Sequence, residues 1–191
     1  AYLLGSPFGQ TIGTDPAPIF SDAKVEYRGR RLGLDSHLEI AISAEDDIEL
    51  RRLRLCNRSR QRRTIEITTY AEVVLAPGIA DAMHPAFSNL FVQTEILRGR
   101  QALLCTRRAR SPDETPPWMC HLVAAHEVDI VEISYETDRA RFLGRGRTPR
   151  DPAALQGPGR LSDTAGSVLD PIIAIRVRVT LEPEQIAVLD L

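Results

Sequence analysis

The sequence of 191 residues predicts an all-β sandwich, and three observations support this fold class. Apolar and polar residues alternate with a period of two along most of the chain, as in strands buried on one face. β-Branched residues are frequent in these runs, which favours strands. No window of about 12 residues carries a sustained helical stripe of apolar side chains.

The first long strands are predicted between residues 34 and 75. Residues 34–42 alternate cleanly, and the run over residues 48–55 changes phase at Arg51-Arg52, which predicts a β-bulge there. A third run covers residues 65–75. Short polar connectors separate the three runs, so they are predicted to form an antiparallel meander of three strands.

The remaining strands are shorter and continue to the C-terminus. They are predicted over residues 24–27, 89–96, 102–107, 118–124, 131–136, 172–181 and 186–191. The best helix candidate, residues 80–84, is one turn at most. We therefore expect a single sandwich domain over residues 1–191, with a poorly defined N-terminal segment (1–19) and a long loop (144–166) that is either functional or poorly ordered.

Charge and cysteine usage exclude several classes of protein. The net charge is −2, so no nucleic-acid partner is predicted, and the basic stretch over residues 51–63 is interpreted as a solvated sheet face. Cys56, Cys105 and Cys120 lie in apolar segments and are predicted to be buried free thiols. Residues 1–10 do not resemble a signal peptide, and the missing initiator Met suggests a piece of a longer protein.

Catalytic and metal-binding patterns are weak. The four histidines, His37, His84, His121 and His126, lack the spacing of a zinc site with Cys120, so neither a metal nor a cofactor is predicted. Acid clusters such as Glu45-Asp46-Asp47 fall in predicted turns, where carboxylates are common for local reasons. The sequence therefore predicts no catalytic group within this chain.

Three segments taken together resemble a known family. They are residues 70–77 (YAEVVLAP), 84–91 (HPAFSNLF) and 136–147 (ETDRARFLGRGR), with support from residues 43–50, 111–114 and 164–171. They are similar to the bacterial cyclic β-1,2-glucan synthases. The resemblance is closest to the N-terminal β-sandwich of their glycoside hydrolase family 94 part, formerly glycosyltransferase family 36.

The resemblance implies an antiparallel β-supersandwich of the galactose mutarotase-like kind, present here in part. In this family a helical linker and an (α/α)6 barrel follow, and the barrel carries the catalysis, so this domain is expected to be non-catalytic. The barrel is the implied partner, while contact with β-glucan oligosaccharide and dimer formation stay open. The implied location is the cytoplasmic side of the bacterial inner membrane, within a larger membrane enzyme of which this soluble domain is a part.

Within the resemblance, the informative residues are Arg139, Arg141, Phe142, Arg145 and Arg147. One hypothesis is that Arg139, Arg145 and Arg147 contact the barrel or a sugar, with Arg141 and Phe142 as further candidate contact residues. The alternative is that Phe142 and Leu143 merely anchor the loop and the arginines are solvated. The segment over residues 84–91 is interpreted as structural, with its Phe and Leu side chains in the core.

Two other functions stay in competition with the accessory domain. A stand-alone carbohydrate-binding module would need exposed aromatic side chains, yet aromatic residues make up only 5% of the chain and Trp118 is its single tryptophan. A mutarotase-like enzyme would need a histidine and a carboxylate on a concave sheet face. His37 with Glu39 is the candidate pair for that chemistry.

Overall fold

The computed structural model describes residues 18–109 and 111–191, and strands dominate it. The strands are β1 (Ile19–Phe20), β2 (Lys24–Arg31), β3 (Leu34–Ile42), β4 (Glu49–Asn57), β5 (Arg63–Thr68), β6 (Ala71–Glu72), β7 (Val92–Leu97), β8 (Ala102–Arg107), β9 (Trp118–Leu122), β10 (Ala124–His126), β11 (Ile130–Asp138), β12 (Gly166–Ser167), β13 (Pro171–Leu181) and β14 (Ile186–Asp190). The helices are α1 (Gly78–Met83), α2 (Pro85–Asn89) and α3 (Arg139–Leu143), with 3-10 turns at Arg98–Arg100 and Ala153–Leu155. The all-β prediction is confirmed. The predicted N-terminal segment, apart from its last residues, lies outside the described residues.

The chain divides into two compact units. The first unit holds the described residues up to Glu66 together with Val123–Glu132 and Arg178–Leu191, and the second unit holds Ile67–Leu122 and Ile133–Val177. The bounds of β5, β11 and β13 extend across this division. These three strands form a sheet in the order β11-β13-β5, and β6 also pairs with β13.

The first unit contains a sheet of six strands in the order β1-β2-β3-β4-β14-β10. A two-residue turn, Leu32-Gly33, joins β2 to β3, and both residues adopt positive φ, 52° and 76°. That geometry matches the right-handed twist of the flanking strands. Leu38, Leu53 and Leu189 are buried on one face of this sheet, while the other face is polar.

Two sequence predictions are wrong within the first unit. The three runs over residues 34–75 do not form a meander, because β4 pairs with β14 and β5 pairs with β13. The bulge at Arg51-Arg52 is absent, since the register runs without a break from Leu50↔Ala41 to Leu53↔Leu38. The phase change has a different cause: Leu50 lies next to the turn that joins β3 to β4 and is 59% exposed, so its apolar side chain is not a core position.

The second unit contains a sheet of four strands in the order β12-β7-β8-β9. An apolar cluster of the same unit gathers Phe142, Leu143, Leu161, Ile172 and Ala174, with Tyr70 and Ala154 packed against it. Phe142 and Leu143 of this cluster belong to the segment over residues 136–147 that carries the resemblance.

Two further predictions fail in the second unit. The strand predicted over residues 89–96 begins only at Val92, because Asn89 ends helix α2, and Phe87 and Leu90 are exposed rather than in the core. Pro85 explains the helix start, because its fixed φ suits the first helical turn and it needs no hydrogen bond there. Cys56 and Cys105 are buried as predicted, whereas Cys120 is exposed on the edge strand β9.

Candidate functional site

Helix α3 sets the geometry of the arginine segment in the second unit. The side chain of Asp138 caps its N-terminus, where a carboxylate oxygen accepts a hydrogen bond from the Ala140 amide at 2.9 Å. Gly144 ends the helix with φ at +80°, a conformation that favours glycine. A Cβ at this position would lie 2.7 Å from the Cβ of Ala153, so the chain also needs glycine here for space.

The apolar side of α3 anchors the segment. Phe142 is only 3% exposed, and its ring lies 4.9 Å from the ring of Tyr70. Burial first, and then the hydrogen bond that the Tyr70 hydroxyl donates to Glu72, raises the pKa of Tyr70 to about 12. Tyr70 therefore stays a neutral donor at neutral pH, and Phe142 and Leu143 are packed in the apolar cluster rather than exposed to a partner.

The polar side of α3 separates the arginines into two groups. Arg139 donates to Glu72 at 2.9 Å and to Asp170 at 3.4 Å, so it ties α3 to the ends of β6 and β13. Arg147 pairs with Asp151 at 2.8 Å within the following loop. Both guanidinium groups therefore have intramolecular partners.

Arg141 and Arg145 are the exposed members of the segment. Arg141 keeps a loose contact of 3.7 Å with Asp138, and its side chain is 61% exposed. Arg145 is exposed and forms no hydrogen bond or ion pair with the residues that the structure describes. A planar guanidinium on a rigid base can bind a carboxylate, a phosphate or sugar hydroxyls, which is the chemistry that this site offers.

The long loop after α3 is fixed by residues that the sequence analysis missed. Arg176 of β13 is only 5% exposed, and its guanidinium donates to the carbonyls of Ala154 and Gly159 at 2.6 and 2.5 Å. Glu136 is 2% exposed and accepts a hydrogen bond from the hydroxyl of Ser162 at 2.6 Å. Charged residues inside otherwise apolar strands were the available signal, because a buried charge requires partners.

A separate charged cluster lies on the outer face of the first unit. Lys24, Glu26, His37 and Glu39 meet on the paired strands β2 and β3. The Lys24 ammonium binds both carboxylates, and His37 Nε2 lies 2.9 Å from Glu26 Oε2. Hydrogen bonds from Lys24, then from Arg28 and His37, lower the pKa of Glu26 to about 2, and Lys24 also lowers the pKa of Glu39.

These shifts bear on the candidate pair for mutarotase-like chemistry. A general acid or base works best when its pKa lies near the operating pH. The pKa values of Glu26 and Glu39 are both lowered, away from neutral pH. Glu26, His37 and Glu39 could supply three metal ligands within 4.8 Å of one another. The Lys24 ammonium, however, already contacts an oxygen of each carboxylate, and its positive charge would repel a divalent cation, so this donor set does not fit one.

Comparison with known proteins gives two findings. Residues 7–190 match the family described as "Glycosyl hydrolase 94, supersandwich domain". The chain is also 41% identical over 157 residues, 82% of its length, to a protein of Rhizobium meliloti (strain 1021) named cyclic beta-(1,2)-glucan synthase NdvB. That match covers 6% of the Rhizobium protein, so the chain spans a small part of the length of this relative.

Proposed function

The chain belongs to the supersandwich-domain family of glycosyl hydrolase 94, and from this premise we propose that it is a non-catalytic domain of a β-glucan-active enzyme. In this role it supports a catalytic (α/α)6 barrel of the same polypeptide. Its arginine segment, residues 139–147, contacts the barrel or the oligosaccharide. The parent enzyme is of the cyclic β-1,2-glucan synthase type and acts at the cytoplasmic side of the bacterial inner membrane.

One observation carries this proposal: the apolar side of α3 is buried, while the segment of α3 and the residues after it exposes guanidinium groups to solvent. Phe142 and Leu143 are buried, Arg139 is tied by two carboxylates, and Arg141 and Arg145 point to solvent. Because the backbone of this segment is held in place, only the arginine side chains have to be ordered on binding, which limits the entropy lost. The name of the Rhizobium relative supports a β-1,2-glucan as the carbohydrate.

The membrane part of the proposal rests on the resemblance and concerns the parent enzyme. Among the described residues, no helix has the length and apolar character needed to span a bilayer.

The proposal is tested in the complete parent protein by the double substitution Arg141→Ala and Arg145→Ala. We expect a changed size distribution of the glucan product, or a weaker association of the sandwich with the barrel, because two contacts to a neighbouring surface are lost. The matched control is Arg60→Ala, an exposed arginine in a turn of the first unit. Unchanged glucan size together with unchanged domain association would contradict the proposal.

A second candidate function, direct carbohydrate binding, is favoured by Trp118. Its indole is 62% exposed on β9, and the strand register places it in a row with Thr106, Gln93 and Ser167. Because facing residues in paired strands share one side of a sheet, the row offers an aromatic face beside uncharged hydrogen-bonding groups. Glucose is neutral and hydroxylated, so these groups suit it.

Titration of Trp118 fluorescence with β-1,2-glucan tests this second candidate. We expect a saturable change in the millimolar range, because a ligand stacked on the indole excludes water from it. Gln93→Ala should weaken the response, whereas Gln61→Ala, an exposed glutamine of the first unit, should leave it unchanged. Unchanged Trp118 fluorescence across the millimolar range of β-1,2-glucan would contradict direct carbohydrate binding.

A further inference from the structure

The segment between β6 and β7, which contains helices α1 and α2, exposes a group of large apolar side chains in the second unit. We call this group the helical patch and define it as Val74, Ile79, Met83, Phe87 and Leu90. Each of these side chains is between 51% and 75% exposed. Single exposed apolar residues are ordinary, but five large ones on one short segment are typical of an interaction surface.

Helix α1 in particular is poorly packed, because none of its residues is buried. It has only six residues and no side-chain hydrogen bond at its N-cap. Helices shorter than about 12 residues are marginal in water, and in proteins most of their stability comes from packing an apolar face. Ile79 and Met83, the large apolar residues of α1, are 75% and 66% exposed, so neither is packed against the residues that the structure describes.

Positive charge lies beside the helical patch. The rings of Phe87 and Phe91 are 5.2 Å apart in an edge-to-face arrangement. The guanidinium groups of Arg107 and Arg108 lie 5.6 and 5.4 Å from the centre of the Phe91 ring. The patch is therefore continuous, through Phe87 and Phe91, with a pair of arginines.

The charge of these two arginines is not balanced among the described residues. Neither Arg107 nor Arg108 forms an ion pair with a described carboxylate. Arg107 is 3% exposed, and its Nε and Nη2 atoms find no hydrogen-bond partner in residues 18–109 and 111–191, while Nη1 reaches the Leu75 carbonyl at 3.5 Å. A buried guanidinium with unused donors is costly, and a neighbouring negative charge reduces that cost.

We propose that another domain of the same polypeptide covers the helical patch, with an apolar surface that carries carboxylates near Arg107 and Arg108. The choice of occupant rests on the proposed function as one domain of a multidomain enzyme. Aliphatic side chains such as Ile79 and Met83 fit a protein surface better than a hydroxylated sugar. A second copy of this chain fits less well, because α1 and α2 contain one carboxylate, Asp81, against the two arginines.

Hydrogen–deuterium exchange of the complete parent protein tests this docking surface. In the wild type, amides of residues 78–91 should exchange on the order of 100-fold more slowly than expected for exposed, frayed helices. The double substitution Ile79→Asp and Phe87→Asp should abolish that protection, and Arg108→Glu should reduce it. The control Leu169→Asp changes a more exposed leucine of the same unit outside the patch and should preserve it.

Three outcomes overturn the inference. Rapid exchange of residues 78–91 in the wild-type parent protein shows that nothing covers the patch. Protection that is lost on dilution identifies a second copy as the occupant, and protection that appears only with anionic lipid vesicles identifies a membrane surface. The same preparations report glucan size, so a failure of the proposed arginine contact is seen independently of the docking result.

Discussion

At the scale of single residues, Glu26 shows how an open sheet face can fix the charge of a carboxyl group. Its two oxygens accept from Lys24 at 2.9 Å, from Arg28 at 2.8 Å and from His37 at 2.9 Å. All three partners favour the ionised carboxylate, which is why the pKa of Glu26 falls to about 2. The cluster therefore contributes to structure at neutral pH rather than to proton transfer.

This shift predicts a pH dependence of stability. The pKa of Glu26 is about 2 in the folded chain and 4.5 when unperturbed, so its contribution is complete above pH 4.5 and is lost as the pH falls toward 2. In Glu26→Gln, the free energy of unfolding should fall less steeply over that interval. Urea titrations at stepped pH measure this slope, and Glu45→Gln, in the exposed turn after β3, controls for the change in net charge. Equal slopes in Glu26→Gln and the wild type would contradict the prediction.

The residues of the arginine segment were predictable in part. The sequence offered Phe142 both as a contact residue and as an anchor of the loop, and it could not show that this side chain is buried, at 3% exposure. It could not separate Arg139 from Arg141, since the partners of Arg139, Glu72 and Asp170, come from distant strands. Pairing across distant segments is decided by tertiary packing, which local patterns do not encode.

At the scale of elements, the C-terminal end of α3 depends on Gly144. The residue combines positive φ with a close approach to Ala153, and it directs the chain into the loop that Arg176 holds. The loop is thus fixed at its start by backbone geometry and further along by hydrogen bonds to a buried guanidinium. The exposed arginines of the segment owe their placement to this framework.

Replacement of Gly144 by alanine should destabilise the chain by roughly 1–3 kcal/mol, because a Cβ is strained at positive φ and collides with Ala153. Gly157→Ala is the control within the same loop, since a Cβ there meets nothing within 4 Å. That control should leave stability unchanged or raise it slightly, because alanine restricts the unfolded chain. Urea unfolding of both variants measures the difference, and equal stabilities would refute the argument.

Strand existence was predicted well and short helices poorly. Alternation in residues 34–42 and 102–107 reproduces the bounds of β3 and β8, since each strand has one buried face. Helices α2 and α3 have five residues each, too few for a helical period to show. The exposed Phe87 and Leu90 misled the prediction because apolar character was equated with burial.

At the scale of the whole molecule, the order of the strands in space differs from their order in the chain. Strand β14 lies between β4 and β10, although most of the chain separates it from β4 in sequence. Its register with β4 runs from Ile186↔Cys56 to Asp190↔Arg52. Such non-local pairing gives a high contact order, so we expect folding in milliseconds to seconds rather than microseconds.

The internal position of β14 predicts a strong effect of Leu189→Ala. Leu189 is fully buried, and its truncation should lower the free energy of unfolding by about 2–5 kcal/mol. Val188→Ala, a change on the opposite and more exposed face of the same strand, should cost about 1 kcal/mol or less. Chemical denaturation distinguishes the two, and similar losses would show that β14 is not a core strand.

The late position of β14 in the chain also has a consequence for biosynthesis. A ribosome that adds about 5–20 residues per second delivers β4 on the order of ten seconds before β14 emerges. During that interval the nascent hairpin of β3 and β4 carries an unpaired edge of backbone amides and carbonyls, which is a template for association between chains. Translation speed and chaperone occupancy over this window should therefore govern the yield of folded protein more than the final stability does.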